Sequence, residues 1–284
     1  MSKYYNPPKK TTYQPGSATP YRLSRSKIDM FMNCARCFYM DQRLGVAQPP
    51  GYPFSLNSAV DGLLKKEFDV HRANGTAHPM MSAHGLDAVP FPHEKMNRWR
   101  EADFGRGGIR AMHAPTNFDV GGAVDDVWVN PAGELIIVDY KATAKLGEVS
   151  LDADWQIGYK RQMEVYQWLF EQNDFSVSKT GYFVYVNGKM DAAAFDGKLE
   201  FDVKLIPYEG DGSWIEPTLM QIKQTLEAEE IPPANKECDY CLYRNWAIKV
   251  VQPLLRQGSA GQASKKEVSL PKKPLVEPEQ GSLL

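Results

Sequence analysis

The apolar run Leu135-Ile136-Ile137-Val138 leads directly into Asp139-Tyr140-Lys141. It reads as a buried strand, and desolvating either charge at its end costs several kcal/mol unless a partner compensates. Side chains alternate along a strand, so Asp139 and Lys141 point to one face while Tyr140 and Ala142 point to the other. Upstream, Gly121-Gly122 precedes Asp125 and permits a bulge or a close approach. A hairpin through Asn130-Pro131-Ala132-Gly133 lays the Asp125 strand beside the Asp139 strand, so the two carboxylates meet across the ladder. Like charges held that close require a cation, and oxygen-only donors with open positions suit Mg²⁺ or Mn²⁺ better than zinc. Lys141 beside such an ion can orient or deprotonate a water and offset charge on a phosphoryl oxygen. Taken alone, the Asp-x-Lys triplet reads as an ordinary ion pair at a strand end; its neighbours change that reading.

The chain has 284 residues, 43% of them hydrophobic, enough for one large domain or two small ones. No apolar stretch approaches the roughly 20 residues that span a bilayer, and the first residues lack the apolar middle of a signal peptide, so the expectation is a cytoplasmic protein without membrane contact. A formal net charge of -2 gives no global pull toward nucleic acid, so such binding requires a local basic surface. Residues 1–20 and 257–284 have the composition of flexible tails around a domain spanning 21–256.

Within that domain the spacing predicts helices over 24–45 and 54–72. Short β-branched segments follow at 108–114, 118–129 and 134–142, forming a three-stranded meander. A helix over 152–173, strands at 179–188 and 198–208, and a helix over 214–230 complete an α/β architecture with a mixed sheet flanked by helices. The histidines form no HxxxH or HExxH set, and no GxxxxGK[ST] phosphate loop is present, which leaves little support for a zinc hydrolase or an enzyme of small phosphate esters.

The ordered set Gly122-Ala123-Val124-Asp125, then Asp139-Tyr140-Lys141, then Gln162-Met163-Glu164-Val165-Tyr166 resembles the PD-(D/E)XK nuclease superfamily. It is similar in particular to the RecB-type branch, which includes recombination exonuclease domains and CRISPR-associated pre-spacer nucleases. The resemblance implies a restriction-endonuclease-like fold and metal-dependent hydrolysis of DNA phosphodiesters, in recombination, repair or processing. It implies DNA as partner, with a helicase or other subunit beside it. Carried over, it makes Asp125 and Asp139 metal ligands, the Tyr140 carbonyl a further ligand, Lys141 the catalytic lysine, and Gln162 and Tyr166 residues that support the site and contact DNA. Gln162 and Tyr166 are four apart on a helix, which permits a joint role. Where the branch often carries a histidine on an N-terminal helix, this chain has Asp61, with Glu67 two turns on; either can donate an oxygen to the metal or remain a solvated carboxylate. Lys160 and Arg161 beside Tyr159 can track a nucleic-acid backbone.

The four cysteines form two CxxC pairs, Cys34/Cys37 and Cys238/Cys241, which in a cytosolic chain favour a metal or redox role over a disulfide framework. Cys34, Arg36, Phe38 and Tyr39 resemble the opening of the branch, whose iron-sulfur members join one N-terminal cysteine to three C-terminal ones around a [4Fe-4S] cluster. Here the third C-terminal cysteine is absent and Cys37 is extra, a set that fits Zn²⁺ as well as a cluster and joins the two ends of the domain. The rival reading is a catalytically silent DNA- or protein-binding module of the same fold, stabilised by the cysteine-bound metal.

Overall fold

The computed structural model describes residues 11–49, 51, 55–102 and 107–260. In chain order the elements are β1 (Tyr21–Ser24), α1 (Arg25–Asn33), α2 (Ala35–Gln42), α3 (Ser55–Asn74), α4 (Pro79–Ala83), β2 (Val89–Pro90), α5 (Met96–Arg100), β3 (Ile109–His113), β4 (Phe118–Gly122), β5 (Asp126–Val129), β6 (Leu135–Thr143), α6 (Ile157–Glu171), β7 (Thr180–Gly188), β8 (Phe201–Glu209), α7 (Ile215–Glu227) and α8 (Asp239–Ala260). The chain divides into a main body, residues 1–238, and a second unit that begins at Asp239 and contains α8.

The apolar run that constrained the sequence forms the first part of β6, in the middle of a mixed sheet ordered β2-β5-β6-β7-β8. β5 and β7 flank it, antiparallel and parallel respectively. A parallel pair needs a crossover, and α6 supplies it. Both faces of β6 are covered, which is why the run does not alternate with polar residues. Leu135 and Ile137 join a core with Met163, Tyr166 and Leu169 of α6 and Leu219 of α7. Ile136, Val138 and Tyr140 join a second core with Leu64 and Phe68 of α3 and Met81 of α4. In that second core the Phe68 ring stacks on Trp128 at 5.2 Å and on His78 at 4.5 Å, locking α3 onto the sheet.

The expected meander is two pieces of two different sheets. β4 pairs with β3 and, in parallel, with β1 to form a second mixed sheet, whereas β5 belongs to the sheet of β6. The chain passes from one to the other through Gly122 to Asp125. The Tyr166 ring packs against Gly122, and a Cβ there would stand 2.6 Å from Tyr166 Cε1. Val124 donates its N–H to the Trp99 carbonyl at 3.1 Å instead of to a strand neighbour, so the ladder is interrupted.

The single helix expected over 24–45 is likewise two, α1 and α2, broken at Cys34, whose φ of -162° and ψ of 104° are extended. Residues 1–10 and 261–284, most of the two expected tails, lie outside the described residues. Packing nevertheless begins before position 20. Tyr13 is 3% exposed, donates its N–H to the Gln42 carbonyl at 2.8 Å, and meets Tyr21 edge-on at 5.1 Å. Among the described residues no helix is long and apolar enough to cross a membrane.

Candidate active site

The register of the β5–β6 hairpin, with Asp126 opposite Val138, places Asp125 and Asp139 at the next paired step. Asp125 stands just before β5, and its Oδ2 accepts the Tyr140 N–H at 2.9 Å, so the carboxylate folds over the end of the ladder. Asp139 and Lys141 share a face as alternation requires, and the Lys141 ammonium is paired with Asp139 Oδ2. Asp139 itself is fully buried.

From α6, Gln162 bridges the pair. Its Nε2 donates to Asp139 Oδ1 at 2.7 Å and to the Tyr166 hydroxyl at 3.3 Å, while its Oε1 accepts from Lys141 Nζ at 3.5 Å. Tyr159, one turn earlier, lays its ring 4.5 Å from Lys141 Nζ. From α3, Lys65 Nζ donates to Asp61 Oδ2 at 2.8 Å and to Asp125 Oδ1 at 3.4 Å. The site therefore gathers Asp61, Lys65, Asp125, Asp139, Lys141, Gln162 and Tyr166, drawn from two helices and the β5–β6 hairpin.

The electrostatics follow from burial. Desolvation pushes the Asp139 carboxyl up to about 7, with Lys141 working against the rise and Asp125 adding to it. Burial works to lower the Lys141 pKa, but Asp139 and Asp125 outweigh it and hold the ammonium above its ordinary value. Lys141 is thus a firmly held cation. Tyr166, raised chiefly by burial, is a neutral phenol.

The raised Asp139 fixes the sign of a pH effect on the metal-free protein. Its folded-state pKa of about 7 lies above the ordinary 3.8, so the stabilisation is complete below the ordinary value and is lost as pH rises through about 7. In urea unfolding with EDTA, the wild type should lose more stability than Asp139→Asn between about pH 5 and about pH 8. Equal losses in the two proteins would overturn this assignment.

The donor set fits a divalent cation. Three carboxylates, Asp61, Asp125 and Asp139, face two ammonium groups, Lys65 and Lys141, with the Arg25 charge also acting on Asp139. Asp139 Oδ2 is buried and, although ion-paired with Lys141, lacks an aligned hydrogen-bond donor. Hard carboxylate oxygens in this arrangement match Mg²⁺ or Mn²⁺.

Beneath the site lies a buried ion network centred on Asp126. Its Oδ1 pairs with Arg72 and with Arg100 Nη2 at 3.0 Å, and its Oδ2 accepts the Tyr140 hydroxyl at 2.7 Å. Arg100 also grips both oxygens of Asp69, at 2.8 and 2.9 Å, and donates from Nε to the Asp125 carbonyl at 3.0 Å. Asp126 thus faces away from Asp125 and holds the backbone that presents it.

Other expected residues are placed elsewhere. Glu67 points to His78, with Oε1 2.9 Å from Nε2, and does not join the acidic group formed by Asp61, Asp125 and Asp139. Arg161 is occupied by Asp29 at 3.0 Å and Asn33 at 2.9 Å, so a nucleic-acid role would require breaking those contacts. Lys160 lies 5.9 Å from the Tyr208 ring. Lys65 is the residue that the sequence reading missed; its signal was the i, i+4 spacing from Asp61.

Three of the cysteines come together. The sulfurs of Cys34, Cys37 and Cys238 lie within 4.8 Å of one another, three thiols of a CxxC-plus-CxxC set able to hold zinc or an iron-sulfur cluster. The segment after α7 is tied back to the first helices by hydrogen bonds from Tyr39 Oη to the Ala228 carbonyl at 2.9 Å, Arg36 Nε to the Pro232 carbonyl at 2.8 Å, and Asn235 Nδ2 to the Asn33 carbonyl at 2.8 Å. Cys37 and Cys238 stand 3.6 Å apart, sulfur to sulfur, far beyond the roughly 2.05 Å of a disulfide.

The family model of the PD-(D/E)XK nuclease superfamily matches residues 22–246, and the chain belongs to that superfamily. No curated protein matches the chain. Among solved structures, the crystal structure of SSO0001 is similar over 79% of this chain and 84% of that one, at 17% identity and a TM-score of 0.35, too weak a likeness to bear on the site.

Proposed function

We propose that this chain is a Mg²⁺- or Mn²⁺-dependent deoxyribonuclease of the RecB-type branch, acting in DNA recombination, repair or processing. The observation that carries the reading is the convergence of Asp125, Asp139, Lys141 and Gln162 where β6 runs past the end of its pairing with β5. Asp125 and Asp139 would hold the metal, joined by the Tyr140 carbonyl and Asp61. When bound, such an ion polarises a phosphoryl oxygen and makes a water more acidic.

The chain's own groups do the rest. Lys141, held as a cation, orients the attacking water by donating a hydrogen bond and offsets charge on the phosphoryl group. Gln162 keeps the Asp139 carboxylate and the Lys141 ammonium in one orientation, and Tyr166 braces Gln162. DNA is the partner, with a helicase or other subunit beside it, and the cytoplasm is the proposed compartment. End-labelled single- and double-stranded DNA should be cut with Mn²⁺ or Mg²⁺ and left intact in EDTA. No cutting by folded, metal-replete protein would move the reading to the catalytically silent binding module.

At the cysteines the same reading favours one Zn²⁺ over a [4Fe-4S] cluster. Zn–S bonds of about 2.3 Å set tetrahedral sulfurs about 3.8 Å apart, close to the 3.6 Å between Cys37 and Cys238. A cubane spreads its thiolates over four irons and separates them further. Metal analysis should give one zinc per chain without visible absorption; four irons with a visible band would overturn the choice.

A further inference from the structure

We infer that Lys65 is a resident counter-ion of the acidic site, one that a divalent cation must displace from Asp125 in order to bind. The inference rests on the proposed metal-dependent reading and extends it to a residue outside the motif. Lys141 serves Asp139, and Lys65 serves Asp125: its Nζ is 3.4 Å from Asp125 Oδ1 while it stays anchored at 2.8 Å to Asp61 Oδ2. The anchor matters, because α3 is locked to the sheet by Phe68 and the Asp61–Lys65 pair is one helical turn long.

The Lys65 side chain is 22% exposed, so it can withdraw toward solvent without unpacking a core. Asp125 Oδ2 is taken by the Tyr140 N–H, which leaves Oδ1, the oxygen facing Lys65, as the freer donor. Ammonium and cation therefore compete for Asp125 Oδ1, and for Asp61 as well, since Lys65 also holds that carboxylate. Metal affinity becomes adjustable at a position that leaves the ligands themselves untouched.

Calorimetric titration of Mn²⁺ into the full chain tests this without any nuclease assay. Three further proteins are titrated in parallel: Lys65→Gln, Lys65→Arg and the double variant Asp125→Asn/Asp139→Asn, which subtracts binding elsewhere. Removing the partly exposed ammonium that pairs with both Asp61 and Asp125 should tighten Mn²⁺ binding by roughly three- to tenfold in Lys65→Gln, while Lys65→Arg stays near the wild type. Lys65→Met, which keeps the apolar stem, substitutes if Lys65→Gln does not fold. Equal or weaker binding by the uncharged variant overturns the inference and leaves the metal-dependent reading standing. If wild type and the double Asn variant bind alike, the metal reading falls and the counter-ion role falls with it.

Discussion

Lys141→Ala is expected to lose about three orders of magnitude in DNA cleavage, the scale of removing one positioned donor from a reacting phosphoryl or acyl group. Lys141 is positioned by the Asp139 carboxylate, by the Gln162 amide oxygen and by the Tyr159 ring, which together hold its ammonium in one place. The variant should still fold. Asp139, deprived of its cation, can take up a proton, because burial has already pushed its carboxyl up to about 7. Circular dichroism and a thermal melt on the cleavage-deficient protein separate chemistry from folding. Wild-type cleavage rates in Lys141→Ala would sink the mechanism. Adding Asp139→Asn to that variant should recover stability without recovering cleavage, since a neutral amide replaces an unpaired buried acid.

Arg100→Ala is expected to destabilise the protein by about 3–5 kcal/mol, the usual result of removing one partner from a buried ion network. Arg100 joins Asp69, Asp126 and the Asp125 carbonyl through one guanidinium, and Asp126 is fully buried. For a chain of this size that loss lowers the melting temperature by roughly 10 °C. Arg100→Lys should rescue only part of it, because one ammonium cannot reproduce the fork on Asp69 while also reaching the Asp125 carbonyl. Urea unfolding measures both variants, and a loss below about 1 kcal/mol in Arg100→Ala would mean that Arg72 alone suffices for Asp126.

Much of the site was legible because strand and helix periods fix directions. Alternation placed Asp139 and Lys141 on one face, the Asn130–Gly133 turn set Asp125 level with Asp139, and the four-residue spacing put Gln162 and Tyr166 on one side of α6. The same arithmetic argues against Glu67. Six residues along a helix place it about 120° around the axis from Asp61, so the two do not address one ion. The break at Cys34 was not legible: no glycine or proline marks it, and the turn serves packing that forms only in the folded chain. The switch of sheets after Gly122 was equally hidden. The residue that makes it necessary, Tyr166, lies more than forty positions downstream. Tyr13 was hidden because burial by distant partners leaves no local period.

The bonds that tie α1 and α2 to the segment after α7 also order events during synthesis. Cys37 and Cys238 are separated by 201 positions, and ribosomes adding 5–20 residues per second need roughly 10 to 40 s to cover such a gap. Every acidic and basic group of the site emerges within that interval, while the first two thiols wait without their partners. The earliest helices of the nascent chain are therefore among the last parts to be completed.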